Sequence, residues 1–335
     1  MKNYLKIIVV FVALFFAASC AQSPELWVPR ETDLFPPRLI SCERNDERHI
    51  VLKFDEALGG LEVDFPEDGG SITDIAPETK ALILVGEPRP GEELVLHARV
   101  TDASGNSSEF LFSIFGINAD LPTLKLNELS IQGSGNHPDY IELYAETSGN
   151  LAGLVVTLSP PEDGEAYFVF PSLNVATGEY ITLHAKPQGI SAEKDELKNK
   201  WESGGLDASS NAWDFWWRGG KGLSGTTGIV ALLDNPRGRV LDAAVYTNRT
   251  SASDEDYLGW GSKSNLEKVQ WLAEKLVWNF SEEEAVPEDG IPSGSVTSTR
   301  TLNKKGTEKN KEGWFTGSTS SLSPGARNTT EVYKP

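Results

Sequence analysis

The 335-residue sequence contains two cysteines, one methionine and four histidines. Two cysteines close at most one disulfide, so no crosslinked framework holds this chain together. The histidines, His49, His97, His137 and His184, stand far apart, and none belongs to a metal-ligand pair such as HExxH. Neither a G-x-S-x-G elbow nor an Asp-x-Asp-x-Asp-Gly calcium loop occurs. The glycine-rich run 219–228 is not a phosphate loop, because Lys221 is followed by Gly222 instead of Ser or Thr. Basic residues are scarce: 30 Lys and Arg against 49 Asp and Glu give a formal charge of −19. Such a chain is repelled by nucleic acid, whose binding is driven by phosphate neutralisation, and by anionic lipid headgroups. Carboxylates are so abundant that no pair of them by itself marks an active site. With no named constellation present, the sequence predicts a protein that is not an enzyme and takes no cofactor or metal.

Long hydrophobic runs are also lacking. Ile7–Phe16 is apolar and Ala17 and Ala18 extend it, but this falls short of the roughly 20 residues that span a bilayer. Lys2 and Lys6 precede the run, Ala17, Ala18 and Ser19 follow it, and Cys20 comes next. A positive start, a short apolar stretch and a small-residue cleavage site make residues 1–19 a secretory signal. Small residues followed by cysteine resemble the lipobox of bacterial lipoproteins, although Ala17 stands where Leu is commoner. The resemblance implies cleavage before Cys20, a thioether-linked diacylglycerol on its sulfur and an acyl chain such as palmitate on the new N-terminus. It also implies lipid anchoring in the bacterial cell envelope, on the periplasmic or extracellular side. Each buried methylene contributes about 0.8 kcal/mol, so several chains anchor stably. Removal of the signal leaves a charge of −21, which favours solubility and holds the body off the membrane. The polar, proline-bearing stretch 20–35 suits a tether. An exported chain can instead pair Cys20 with Cys42. If Cys20 carries lipid, Cys42 shares a strand face with Ile40 and reads as a small core filler.

Residues 36–118 read as strands. Ile50, Leu52 and Phe54 alternate with polar or outward neighbours, as do Leu94, Leu96, Ala98 and Val100 and then Phe110, Phe112 and Ile114. Turn residues at Asn45-Asp46, Asp68-Gly69-Gly70, Pro90-Gly91 and Ser104-Gly105-Asn106 separate them. The opening Pro37-Arg38-Leu39-Ile40, the strand Val51–Leu58 and the ending Val100–Asn106 resemble bacterial Ig-like domains. That family implies a β-sandwich serving as a spacer or adhesive module.

A second series of blocks occupies 122–330. It runs through Leu126-Asn127-Glu128-Leu129, Asp139–Tyr144, Asn150–Gly153, Gly178–Leu183, Gly228–Asp234 and Gly238–Asp242, and closes with Trp314 and Ser323-Pro324-Gly325-Ala326-Arg327-Asn328. In this order the blocks resemble a lamin-tail domain, an Ig-like sandwich. Asp234–Gly238 is a turn, which makes Ile229–Leu233 and Arg239–Tyr246 a hairpin. Asn127, Glu128, Asp139 and Glu142 lie near strand ends, either as cation ligands or as acceptors of backbone hydrogen bonds at a sandwich corner; the second reading is preferred. The fold class is thus mainly β, with two Ig-like β-sandwich domains.

Two stretches, 187–221 and 247–295, exceed a minimal lamin-tail domain, and each is expected to carry a helix. Ala192–Glu202 places Leu197 and Trp201 four apart, and Asn265–Trp278 places Leu266, Val269, Ala273, Leu276 and Val277 on one face. Asn265 or Ser264 would cap the second helix. Seven of the nine tryptophans lie in these insertions, which predicts that they pack as a helical cap on the sandwich. The densest aromatic run holds Trp213, Trp216, Trp217 and Arg218, a composition that favours partner-protein hot spots or a face for stacking sugar rings. The expected function is a non-catalytic, lipid-anchored envelope protein that presents β-sandwiches to an envelope or extracellular protein partner. The alternative is a glycan or peptidoglycan binder using the same tryptophans.

Overall fold

The computed structural model describes residues 33–44, 49–65, 70–76, 80–85, 88–248, 257–281, 284–294, 301–317, 321–330 and 332. The signal, Cys20 and most of the tether lie outside them. The chain divides into two units, Met1–Val85 with His97–Leu111, and Gly86–Leu96 with Phe112–Pro335.

In the first unit, β1 (Leu39–Arg44), β2 (His49–Phe54), β5 (Lys80–Val85) and β4 (Gly70–Ala76) form one antiparallel sheet in that order. β3 (Leu58–Asp64) pairs antiparallel with β6 (Glu93–Asp102), and β7 (Ser107–Phe115) completes a three-stranded sheet. The alternation read from the sequence is the alternation of burial: Ile50, Leu52 and Phe54 are buried, as are Ala98 and Val100. The Phe54 ring meets the Phe110 ring of β7 at 6.0 Å, which joins the inner faces of the two sheets. Cys42 and Ile40 do not fill the core; both are exposed. Their strand β1 lies at the sheet edge, and the buried row of the sheet is carried by its neighbour β2.

The second unit is built on two larger sheets. β8 (Leu124–Ser130), β9 (Tyr140–Ala145), β14 (Tyr180–His184), β15 (Ala212–Trp216), β19 (Thr301–Lys304) and β20 (Trp314–Thr316) make a six-stranded sheet ordered β15-β14-β9-β8-β19-β20. β11 (Val155–Thr157), β12 (Phe168–Val169), β16 (Gly228–Leu233), β17 (Val240–Thr247) and β18 (Ile291–Pro292) make a five-stranded sheet ordered β12-β11-β16-β17-β18. The short strands β10 (Gly149–Asn150) and β13 (Asn174–Val175) pair separately. β16 and β17 form the hairpin expected around Asp234–Gly238. Phe215 of β15 meets Phe168 of β12 at 6.2 Å and Phe170 at 5.1 Å, closing one apolar core between the sheets. The fold is mainly β, as the sequence predicts.

One helix stands where the second insertion predicts it. α1 (Lys263–Glu274) buries Val269 and Leu272 and packs on β16. Ser262, not Ser264 or Asn265, is its cap, with Oγ accepting from the Asn265 backbone N–H. The helix stops before Leu276, which takes φ 56° and is 84% exposed, so Leu276 is not part of its apolar face. No helix forms over Ala192–Glu202. There the acids of the segment reach out to backbone on either side of it instead of pointing away from a helix surface. Glu193 accepts from the N–H groups of Gln188, Gly189 and Ile190, while Glu196 accepts from those of Ser203 and Asp214. The first insertion is therefore an irregular loop pinned by acids. Its Trp201 is 75% exposed and takes no part in a cap. Trp260 and Trp278 of the second insertion are buried, their indole N–H groups donating to the carbonyls of Ala285 and Asp289.

Candidate functional site

β15 decides what its tryptophans can do. It runs parallel to β14 at the sheet edge, in register Ile181↔Trp213, Leu183↔Phe215 and His184↔Trp216. Successive side chains of a strand point to opposite faces. Phe215 and, just beyond the strand, Trp217 belong to the sandwich core, and half-buried Trp213 packs against that core. Asp214 and Trp216 take the other face. Trp213 is fixed at its edges: its indole N–H donates to Glu179 at 3.0 Å, and the Lys200 ammonium lies 5.4 Å from the ring centre. Trp216 is 1% exposed, stacks on His184 at 3.8 Å with an 8° tilt, and donates to Ser203 Oγ. Its best stacking face is occupied from within. Arg218 is exposed and donates to the carbonyl of Glu193. The four residues therefore do not form one exposed aromatic patch.

The outer face of the six-stranded sheet carries polar side chains in two rows across the register. One row is Thr301, Ser130, Tyr140, His184 and Trp216; the other is Asn303, Glu128, Glu142, Thr182 and Asp214. All ten are buried. The segment Ser321–Asn328 straps this face. Glu128 accepts from the Tyr140 hydroxyl and from the Ser323 hydroxyl and N–H. Glu142 accepts from the Gly325 N–H and from Asn127 Nδ2, and Asn127 also donates to Asn328. Gly325 sits at φ 73° with its α-carbon against Ser209 and Ala212, where a Cβ would come within 2.6 Å of Ser209 Oγ. Only glycine fits that position. Burial pushes the carboxyls of Glu128 and Glu142 upward, Glu142 strongly, and the neighbouring acid adds to the shift of Glu142. Asp139 accepts from the N–H groups of Gly133 and Leu223. All three acids accept backbone N–H groups, as the preferred sequence reading has it. Glu128 and Glu142, however, do so on the sheet face instead of at a corner and take side-chain donors as well.

His184 Nε2 lies 2.8 Å from Asp214 Oδ1. Such a pair is the orienting half of many acid–base sites. Here the side chains are 0% and 1% exposed, below the Trp216 ring on one side and with Asp214 holding the Ser209 N–H. Neither side chain has more than 1% of its surface in contact with solvent. A separate acidic group in the first unit brings carboxylates of Asp33, Glu56 and Asp102 within 4.8 Å of one another. Burial first, then Asp33 and Asp102, raise the Glu56 carboxyl. Asn106 donates to Asp102 and to the Asp33 carbonyl, tying the group together. Sequence spacing does not reveal it, since the three acids come from widely separated positions.

A cleft of about 570 Å³ opens beside the tryptophan loop, at the end of the second unit's sandwich. Trp217, Tyr246 and Ile229 line its floor, and Asn265 and Lys268 of α1 line one wall. This volume is in the range of small-molecule sites. The sequence singled out Trp217 but not the cleft, because its walls come together only when α1 packs on β16.

A family model described as "TP_1001_2nd: protein second domain" matches residues 122–316. An uncharacterized protein of Treponema pallidum (strain Nichols) is 26% identical over 168 residues, which are 50% of this chain and 42% of that protein. The chain thus spans less than half the length of that relative. No solved structure matches.

Proposed function

The chain belongs to the TP_1001_2nd protein second-domain family, and from that premise we propose that it is a non-catalytic, lipid-anchored bacterial envelope protein presenting β-sandwich domains to a protein partner. The observation that carries the reading is the sealed state of the buried His–Asp pair. The two other described pairs at 2.8 Å, His97–Asp64 and His137–Asp207, are surface contacts outside the cleft and the strapped face. His184 and Asp214 lie under Trp216 and the loop carrying Ser209. A site meant for chemistry must admit its substrate, whereas here the polar face is used to lock a strap.

The anchor rests on the lipobox resemblance at Cys20. The lamin-tail resemblance of the second unit draws support from blocks distant in sequence that meet in space: Glu128 and Glu142 hold Ser323 and Gly325. The Ig-like reading of the first unit draws support from its two antiparallel sheets. Sugar stacking by Trp216 finds no support in its burial. The test of the non-catalytic reading is turnover of generic ester, phosphate and glycoside substrates by the purified chain. No turnover above a heat-denatured control is expected. Turnover abolished by substitution of a surface carboxylate overturns the reading.

A further inference from the structure

We propose that the cleft at the end of the second unit's sandwich binds a small organic anion with an apolar body, a property separate from lipid anchoring and protein partnership. The floor is apolar and aromatic: Trp217 and Tyr246 reach it from the core, with Ile229 and Leu158 beside them. A floor of this kind takes the hydrophobic part of a ligand and leaves its polar end at the rim.

The rim has the opposite sign from the rest of the protein. Lys221 and Lys268 line it, and the Lys186 side chain and the Asp139 carboxylate both lie against Gly222, another lining residue. Of the two described acids here, Glu165 is committed to Lys268 at 3.2 Å and Asp139 to the backbone N–H groups of Gly133 and Leu223. Lys221 is exposed and forms no ion pair among the described residues. In a chain of formal charge −19, three ammonium groups against two committed carboxylates around one apolar cleft, with Lys221 left over, are a local inversion of the field. Low-dielectric walls focus such a field and raise the local concentration of anions. Ser224 is exposed at the rim, and the Asn265 amide nitrogen is engaged with the Trp260 carbonyl. The rim therefore offers ammonium and hydroxyl donors to a carboxylate or sulfonate while the body of the ligand rests on the aromatic floor.

The test is calorimetric titration of the full chain with naphthalene-1-sulfonate, and with neutral 1-naphthalenemethanol as the comparator of similar body. The sulfonate is expected to bind at least about fivefold more tightly, the factor that roughly one kcal/mol of rim electrostatics provides. Lys221→Glu should remove that preference while leaving the weak binding of the alcohol unchanged. Ala166→Trp, at an exposed lining position, should abolish binding of both compounds with no loss of thermal stability. Equal affinity for the two compounds, or sulfonate binding that survives both substitutions, overturns the proposal. Turnover, partner binding and membrane attachment do not enter these readouts, so the result stands apart from the reading above.

Discussion

Replacing Trp216 with alanine removes a ring that the sequence leaves open to either a core or a binding role. In the structure Trp216 is 1% exposed, its ring is parallel to His184 at 3.8 Å, and its N–H is satisfied by Ser203. Truncation of a buried tryptophan typically costs about 3–5 kcal/mol, from lost transfer energy and the cavity left behind. The same change strips cover from the buried His184–Asp214 pair, so relaxation around it is limited. Gly205 already presses on the ring edge: a Cβ there would come within 2.1 Å of it. For a unit of this size each kcal/mol moves the midpoint of thermal unfolding by about 2–4 °C, giving a fall of roughly 6–20 °C. Urea unfolding followed by circular dichroism measures the loss without relying on tryptophan emission. Trp201→Ala is the control. Trp201 is 75% exposed, and its removal should change stability by no more than about 0.5 kcal/mol. A Trp216→Ala loss below about 1 kcal/mol, or equal losses for the two variants, refutes the assignment of Trp216 to the core.

Two further outcomes concern the polar face and the helix. Glu128, Asp139, Glu142, Glu196 and Asp242 all have carboxyls raised above their ordinary range, with burial the largest cause in each. A group raised in the folded state contributes stability fully below its unfolded value, near pH 4, and loses it as pH rises through the folded value. The urea midpoint should therefore fall between pH 5 and pH 8 at constant ionic strength, and Glu142→Gln should shrink that fall; a midpoint that rises over this range contradicts the sign. Ser262→Ala removes the cap of α1 and should cost about 1 kcal/mol in urea unfolding, whereas Ser264→Ala should cost almost nothing.

Alternation along β2 and β6 and the β16–β17 hairpin are legible in the sequence, because a half-buried strand imposes a period of two and a Pro-Gly-bearing turn marks its end. The existence of α1 is legible for the same kind of reason. Its end is not: Leu276 continues the apolar spacing but the backbone leaves the helix at that residue. The missing helix at 192–202 shows the limit more sharply. Its composition permits a helix, and nothing in the pattern shows that Glu193 and Glu196 will collect backbone N–H groups from residues as far away as Asp214. The exposure of Cys42 follows from the edge position of β1, which depends on strand order and not on local sequence. The same holds for the candidate sites. Trp217 is visible as a residue of interest, but its partners in the cleft come from strands and a helix that only the tertiary fold assembles.

The central claim is that this β protein is held at a membrane by lipid on Cys20. Detergent-phase partitioning of the chain produced in a bacterial host that processes lipoproteins tests it most directly. The account predicts that the natural chain enters the detergent phase and that Cys20→Ser moves it to the aqueous phase. Equal partitioning of the two proteins contradicts it.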